Sequence, residues 1–501
     1  MNTPVLNPDF LTMSPEQIRA LTPYFIVFGG SLLAIVLSVL RSVSTKWPVF
    51  LAVVLTALAG VISSQTLVSD ATVSLFGGMM VSDSYSHIFN ILFLLSALFT
   101  VFVSLKYLDV DQVQHPEYYV LVLLSALGMM LMSSALDLIV IFIALETLSL
   151  GVYVLVGFRR ADRRSNEAAM KYFILGSAAS AIFLYGTALL YGATGSIHLE
   201  QIAGLVQSGD ALASTPLFGL AAWLVILGFL FKVASVPFHM WMPDVYEGAP
   251  APVTGFMTTG LKAAAFATFI RVFTGLGYGS GLNEILQGHI HDVLWVCAVL
   301  TMLIGNVVAL TQTNLKRMLA YSSIAHTGYL LVGMVAGPGV SDGFSSMVLY
   351  LISYAAMNLG GFAVLSVLAV KDDVGLNLQD LSGLSRKHPL LALALAIFLF
   401  SMAGVPPTAG FVAKYQLFYT AVLAGEIPLV VIAVLCSAIS VYYYLRVLVF
   451  MYMKDPTSES TPGSLSPWAM VAIVSMTIAT VQIGVSPAKM ISAAKQAVAS
   501  L

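Results

Sequence analysis

The chain has 501 residues, of which 59% are hydrophobic and only 9% charged, with 22 Lys and Arg against 24 Asp and Glu. Soluble domains carry about 25% charged residues, so there are too few polar side chains here to cover a water-facing surface, and a mean hydropathy of +0.93 places most of the chain in lipid. The net charge of −2 leaves no basic footprint for nucleic acid. The two cysteines, Cys297 and Cys436, lie inside apolar runs without the spacing of metal ligands and read as small buried hydrophobes.

Apolar runs of about 20 residues, separated by short polar breaks, follow one another along the whole chain. They lie near 22–40, 48–65, 87–105, 117–134, 135–157, 168–192, 216–241, 250–273, 292–311, 318–337, 344–370, 390–423, 428–452 and 467–487. The pattern predicts an all-α integral membrane protein of about fourteen transmembrane helices, with no length left for a soluble domain. Before the first run Arg19 is the only basic residue, which argues against a cleaved signal peptide.

Basic residues set the expected topology. Loops after odd-numbered runs hold Arg41, Lys46, Lys106, Arg159, Arg160, Arg163, Arg164, Lys171, Lys316, Arg317, Lys371, Arg386, Lys387 and Lys454, against Arg19, Arg271, Lys489 and Lys495 on the other side. By the positive-inside rule both termini face the outer compartment. The stretch RRADRRSNEAAMK (159–171) is the strongest topogenic feature and otherwise reads as a solvated loop.

Few charges remain within the apolar runs: Glu146, Lys232, Lys262, Lys414 and Arg446, with Asp137 nearer a span end. Each costs about 2.5–3.5 kcal/mol on insertion scales, so each points to a buried partner, a water-filled path or a proton relay. Glu146 sits near the centre of its run, where the alternative to a relay is an ion pair pinning two helices. Lys262 is equally central, about 16 Å from either end at 1.5 Å per residue, too far to snorkel. Lys232 precedes Pro237, which interrupts its helix; the run stays apolar to Trp241, so the span reads as broken with Lys232 at mid-depth. Lys414 follows a second break, SMAGVPPTAG (401–410), and is placed like an ion site at a half-helix. Arg446 is expected to snorkel among tyrosines forming an interfacial belt. A lone histidine on an apolar face is commonly a packing residue; His326 is a candidate relay, His239 a weaker one, and Asp137 marks a channel mouth or a helix start.

The broken, lysine-bearing spans are the seventh and the twelfth. A five-helix internal repeat would space them so, and an odd-numbered repeat must be inverted across the membrane. The expected organisation is a three-helix segment (1–116), a first repeat (117–273, spans 4–8), a second, inverted repeat (274–452, spans 9–13) and a C-terminal span (453–501). Lysine carries protons once desolvated, because burial disfavours its charged form and a nearby carboxylate restores it. A swing of three units in proton affinity is worth about 4 kcal/mol, comparable with the work of moving one charge against ~180 mV. The sequence has no nucleotide loop and no redox ligand set, so the energy must come from a partner or a second ion gradient.

KVASVPFHMWMPDVYEGAPAPVTGF (232–256), NLKRMLAYSSIAHTGYLL (314–331) and SMAGVPPTAGFVAKYQLF (401–418) resemble the antiporter-like membrane subunits of respiratory complex I, most closely the N type of bacterial NADH–quinone oxidoreductase. The resemblance covers nearly the whole chain. It implies that Glu146 matches the family's fifth-span glutamate, Lys232 its seventh-span lysine, Lys262 its central eighth-span lysine and Lys414 the twelfth-span residue near the outer exit. Lysine rather than the M type's glutamate at 414, and an end at Leu501 without the L type's lateral helix, select the N type; fourteen spans argue against the shortened animal mitochondrial form. Also implied are two linked half-channels carrying protons towards Lys232, past Lys262 and out by Lys414, with the Glu146–Lys232 pair as coupling switch. The implied partners are M-type and K-type neighbours and the lipid of a bacterial inner membrane. NADH, quinone, flavin and iron–sulfur clusters would belong to other subunits, with no cofactor bound by this chain. Two alternatives stand beside this reading: a subunit of a multi-subunit cation/proton antiporter, and a membrane scaffold that transports nothing.

Overall fold

A computed structural model describes residues 13–39, 47–68, 71–210, 212, 215–340, 343–373, 375–456 and 465–501; the topogenic residues Arg41 and Lys46 lie outside them. The chain begins with α1 (Pro15–Val39) and α2 (Trp47–Leu67), then a small hairpin of β1 (Val73–Leu75) and β2 (Met80–Ser82). Next come α3 (Ser84–Val110), α4 (Glu117–Ser134), α5 (Leu138–Val156), α6 (Arg163–Thr194) and the short α7 (Leu199–Gln207). A broken segment follows, α8 (Pro216–Lys232) and α9 (Met242–Gly248), and then α10 (Ala251–Phe256), a π turn (Met257–Leu261) and α11 (Lys262–Gly275) in one continuous rod. The remainder is α12 (Glu284–Thr311), α13 (Leu315–Ala336), α14 (Gly343–Leu368), the single turn α15 (Leu384–Lys387), a second broken segment of α16 (Pro389–Ala403) and α17 (Ala409–Leu423), then α18 (Ile427–Met453), α19 (Pro467–Val485) and α20 (Ala488–Ala499). Taking α10 to α11 as one, twelve of these helices are long and apolar enough to cross a membrane; α8 and α16 are shorter apolar helices, each followed by a break.

Helix starts are set by side chains that accept from otherwise unpaired amides. Asp83 caps α3 in a capping box with Ser86, Asp137 caps α5, Asp162 caps α6, Thr215 caps α8 ahead of Pro216, and Asn283 and Asn314 cap α12 and α13. Asp137 is thus a helix start, one of the two roles expected for it. The stretch 159–171 is not a solvated loop: from Arg163 onwards it is the first turns of α6, and Arg159 is 3% exposed. The hairpin, α7, the π turn and the amphipathic α20 have no counterpart among the expected spans.

Burial sorts the helices into an inner and an outer set. Every residue from Ala251 to Phe273 is buried, as are nearly all of α13 and α14. By contrast, α1, α2, α6, α12, α17, α18 and α19 present large apolar side chains such as Leu33, Ile62, Ile174, Leu435 and Ile478 outward, as a lipid-facing or subunit-facing rim requires. Neighbouring helices approach through glycine, since apolar surface alone draws them together weakly in lipid. A Cβ on Gly128 would lie 2.6 Å from the Leu148 amide, and one on Gly305 2.5 Å from that of Ala325, so the α4–α5 and α12–α13 contacts both depend on the missing methyl.

Arg271, placed by sequence among the outer-side basic residues, is buried in an ion pair. Its guanidinium donates to both carboxylate oxygens of Asp83 (2.8 and 2.7 Å) and to the Ser133 carbonyl (2.6 Å), tying α11 to the start of α3 and the end of α4. Removing one partner strands the other charge. Arg271→Met is expected to lower stability by about 3–5 kcal/mol while Asp83→Leu combined with Arg271→Met restores most of it, read as the thermal unfolding midpoint of the detergent-purified protein.

Candidate functional site

Lys262 is the first residue after the π turn and is 1% exposed. Widened turns of this kind concentrate at functional positions in helices. Its ammonium donates to the Ser323 carbonyl and hydroxyl, both at 2.6 Å, and sits 5.1 Å from the centre of the Tyr354 ring. The Tyr354 hydroxyl donates to the same Ser323 Oγ at 2.8 Å. No carboxylate lies within 4 Å of this lysine among the described residues.

Lys232 ends α8 and donates to Ser149 Oγ of α5 at 2.7 Å, with the Tyr172 ring 5.6 Å away. Glu146 lies one turn earlier on α5, on the same face as Ser149, and accepts from Ser180 of α6 at 2.5 Å. The expected Glu146–Lys232 pair is therefore not a contact ion pair; one serine turn separates the two groups. The break after Lys232 is stitched to its neighbours. The Val236 amide donates to Thr301 Oγ1 (2.9 Å) and the Val233 carbonyl accepts from Thr327 Oγ1 (2.9 Å), which satisfies backbone groups that lipid could not.

Lys414 reaches back from α17 to the open end of α16, donating to the carbonyls of Met402 (3.0 Å) and Ala403 (3.1 Å) and to Ser437 Oγ (2.9 Å). A cation at a helix C-terminus meets unpaired carbonyls and the negative end of the helix dipole. Glycine makes the approach possible. A Cβ on Gly410 would lie 1.8 Å from the Ser401 carbonyl oxygen. Beside Lys414 a pocket of about 550 Å³ opens between α17 and α18, lined by Phe411, Tyr415, Tyr419 and Val434.

His326 lies on α13 one turn beyond Ser323. Its Nδ1 meets the Tyr350 hydroxyl at 2.6 Å and its Nε2 the Tyr444 hydroxyl at 3.4 Å; Tyr444 in turn bonds Ser322. Hydroxyls either donate or accept, so both tautomers of the ring are accommodated. Towards Lys414 the polar groups continue: Tyr443 donates to Asn306 (3.1 Å), Asn306 to the Tyr329 hydroxyl (3.3 Å), and the Tyr329 ring lies 5.2 Å from the Lys414 ammonium. Lys262, His326 and Lys414 thus belong to one interior band of polar groups, with Lys232 and Glu146 in a second set on α8, α5 and α6, whereas His239 is half-buried with Nδ1 unpartnered among the described residues. Arg446 is half-buried. It donates to the carbonyls of Leu310 (2.8 Å) and Gln312 at the end of α12, and Tyr443 and Tyr444 are interior residues rather than an interfacial belt. The serines and tyrosines that receive the lysines carry no sequence signature, because such residues are scattered through every apolar run. Among the described residues no group of three or more His, Cys, Asp or Glu could hold a metal ion.

Several basic residues counted as topogenic are clamped in a rim of ion pairs. Arg159 pairs with Asp111 and with Asp373 (3.0 Å), Lys316 pairs with Asp373 (2.7 Å), and Tyr107 donates to Asp373 (2.7 Å). Lys316 also caps the end of α9 through the carbonyls of Glu247 (2.8 Å) and Ala249. Lys171 and Arg317 hold Asp244 of α9 at 2.7 and 2.8 Å. Burial by itself would raise the Asp373 carboxyl, but the cations of Lys316 and Arg159 outweigh it and hold the group below its ordinary value. A carboxylate so lowered adds stability that is complete above the unfolded value of about 3.9 and is lost as pH falls through the lower folded value. The unfolding midpoint is accordingly expected to lose this contribution only below about pH 4. Asp373→Asn, which leaves Lys316 without a carboxylate and Arg159 with Asp111 alone, is expected to cost about 3–5 kcal/mol at neutral pH.

Comparison with known proteins places this arrangement. The pattern of the NADH:quinone oxidoreductase/Mrp antiporter transmembrane family matches residues 135–440. A relative from Trichlorobacter lovleyi, named NADH-quinone oxidoreductase subunit N, is 46% identical over 428 residues, 85% of this chain and 86% of that protein. A chain in the structure of respiratory complex I from Thermus thermophilus with bound aureothin superposes with a TM-score of 0.78 at 36% identity, over 94% of this chain and 98% of that one. A chain of the Mrp complex from a Dietzia species reaches a TM-score of 0.83 at 23% identity, over 98% of both chains, a likeness of fold alone.

Proposed function

The chain belongs to the NADH:quinone oxidoreductase/Mrp antiporter membrane family, among the relatives named subunit N, and from that premise we propose that it is the proton-translocating, antiporter-like N-type subunit of a NADH–quinone oxidoreductase. One contrast within the molecule carries the reading. Where this chain uses buried charge for structure, it pairs it, as in Arg271–Asp83 and Arg159–Asp111–Asp373–Lys316. Lys232, Lys262 and Lys414 instead rest on neutral serine, tyrosine and carbonyl groups. A lysine held this way gives up and regains its proton without breaking a salt bridge, which a scaffold does not need.

In this reading Glu146, Lys232, Lys262 and Lys414 carry the proton, with His326 between the last two. Protons pass from the inner side towards Lys232, on to Lys262, and out by Lys414 beside the open end of α16. Glu146, one serine turn from Lys232, favours its ammonium when the two approach and releases the proton when they separate. Segments 117–273 and 274–452 form inverted repeats around the two broken spans, preceded by 1–116 and followed by 453–501. Each broken pair makes one crossing, for fourteen in all, with both termini on the outer side. Moving one charge against ~180 mV takes about 4 kcal/mol. That work is supplied by NADH oxidation and quinone reduction at the flavin and iron–sulfur clusters of partner subunits, this chain contributing no redox centre. M-type and K-type subunits flank it in a bacterial inner membrane.

The test is Lys262→Met in the assembled complex, in inverted membrane vesicles. Both NADH-driven quinone reduction and lumen acidification are expected to fall about tenfold or more, the effect of slowing a transfer step by at least ~1.4 kcal/mol. Parental rates of both, with the complex intact and sodium without effect, would sink the reading.

A further inference from the structure

Two cavities flank α17 on adjoining faces and meet at one residue, Tyr419. The first is the cleft of about 550 Å³ beside Lys414, open between α17 and α18. One wall is a ladder of aromatic rings. Phe411, Tyr415 and Tyr419, spaced one turn apart, stack with centres 6.2 and 6.1 Å from ring to ring, and all three are exposed. Val434 and Val441 of α18 form the other wall. From Phe411 to Val422 the cleft runs ~16 Å along the helix at 1.5 Å per residue, about half of a hydrocarbon core of ~30 Å. Its deep end is the break between α16 and α17, where the buried Lys414 ammonium lies.

The second cavity, of about 300 Å³, is polar. It is lined by Ser346 in the first turn of α14, by Gln416 and Thr420 of α17 and by Lys495 of α20. The Ser346 and Thr420 hydroxyls donate to the carbonyls of Gly343 and Gln416, whereas the Lys495 ammonium and the Gln416 side-chain amide are donors of the kind an anion needs. Because α20 is the amphipathic helix after the last span, with Lys489 and Lys495 exposed, it belongs at the membrane surface, and the polar cavity marks that surface on the side of the C-terminus. Tyr419, shared by both cavities, is a residue type that favours this level. A basic recess at the surface therefore joins an apolar cleft one leaflet deep.

Another helix does not suit the cleft. With its side chains a helix is about 10–12 Å across, and α17 and α18 are neighbours joined only by residues 424–426, too close to admit one between them. Alkyl chains are thin enough, and they gain dispersion contacts along the whole aromatic wall.

We propose that the two cavities are one phospholipid site. The phosphate sits in the recess against Lys495 and Gln416, and an acyl chain descends past Tyr419 along the aromatic ladder, closing the lateral opening beside Lys414. The site needs only the fold and the membrane, and it stands whether or not Lys414 carries protons.

The probe is phosphatidylglycerol brominated along its acyl chains, in nanodiscs holding the assembled complex, imaged by electron cryomicroscopy. Bromine density is expected between α17 and α18, with phosphate density at about 3 Å from the Lys495 ammonium. A brominated free fatty acid at the same chain concentration lacks the phosphate and is expected to fill the cleft several-fold less. Lys495→Glu, at an exposed residue outside the proton-carrying set, is expected to lower the bromine density of the phospholipid several-fold in the assembled complex. If the fatty acid fills the cleft as fully as the phospholipid, or Lys495→Glu leaves the density unchanged, the phosphate is not recognised and the site is wrong. Side chains of a neighbouring subunit in the cleft, or no density there at all, overturn it equally. Should Lys495→Glu not assemble, the parental maps with the two probes decide the matter.

Discussion

The Lys262 ammonium has no carboxylate within 4 Å among the described residues, and the inner helices are arranged to bring oxygen dipoles and one aromatic face to it instead. Two of them belong to a single residue, Ser323, whose carbonyl and hydroxyl both lie 2.6 Å from the lysine. The Tyr354 hydroxyl completes the set from α14 through its bond to Ser323. For one serine and one tyrosine on different helices to meet one lysine, α11, α13 and α14 must be packed without lipid between them, and these are the helices buried around their whole circumference. The π turn interrupts the regular repeat immediately before Lys262, one of two basic residues on the rod; the other, Arg271, is closed in an ion pair.

The same requirement explains the broken helices. Inside a continuous helix each carbonyl already accepts from an amide one turn on, whereas the carbonyls of a helix's last turn have no such partner. Stopping α16 at Gly404, in the left-handed conformation at φ +88°, frees the carbonyls of Met402 and Ala403, and Lys414 takes them. At the other break the backbone is claimed by threonines of α12 and α13, so that Lys232 turns instead to Ser149. Each break thus exchanges a length of regular helix for polar groups at a depth where water does not otherwise supply them.

Charge serves two purposes in this molecule, and the partners tell them apart. Arg159, Lys316 and Arg271 are as buried as the three lysines of the candidate site but are closed in ion pairs that join segments distant in sequence. Such pairs resist rearrangement, because separating them leaves a bare charge in a poorly polarisable interior. Lys232, Lys262 and Lys414 are held instead by serine and carbonyl oxygens. The ionic rim also holds α9, between the Lys232 break and the π turn, by Lys171 and Arg317 on Asp244 in its first turn and by Lys316 on the carbonyls at its end.

Composition and order of residues sufficed to determine that the chain lives in lipid, where its apolar helices lie, that Pro237 and the Gly404–Pro407 stretch break two of them, and that Lys232, Lys262 and Lys414 are buried charges. These are properties of one residue, or of a short window, weighed against lipid. What only the tertiary structure decided is the company each charge keeps. Ser149 meets Lys232 across 83 residues and Ser323 meets Lys262 across 61, while Arg159, Lys316 and Arg271, which read as loop cations, close on Asp111, Asp373 and Asp83. Tyr443 and Tyr444 lie inside the molecule for the same reason: hydropathy gives depth, but which way a side chain points is set by the rotation of its helix against its neighbours. That rotation depends on glycine contacts and caps far away in the chain, and only the packed molecule holds all of them at once.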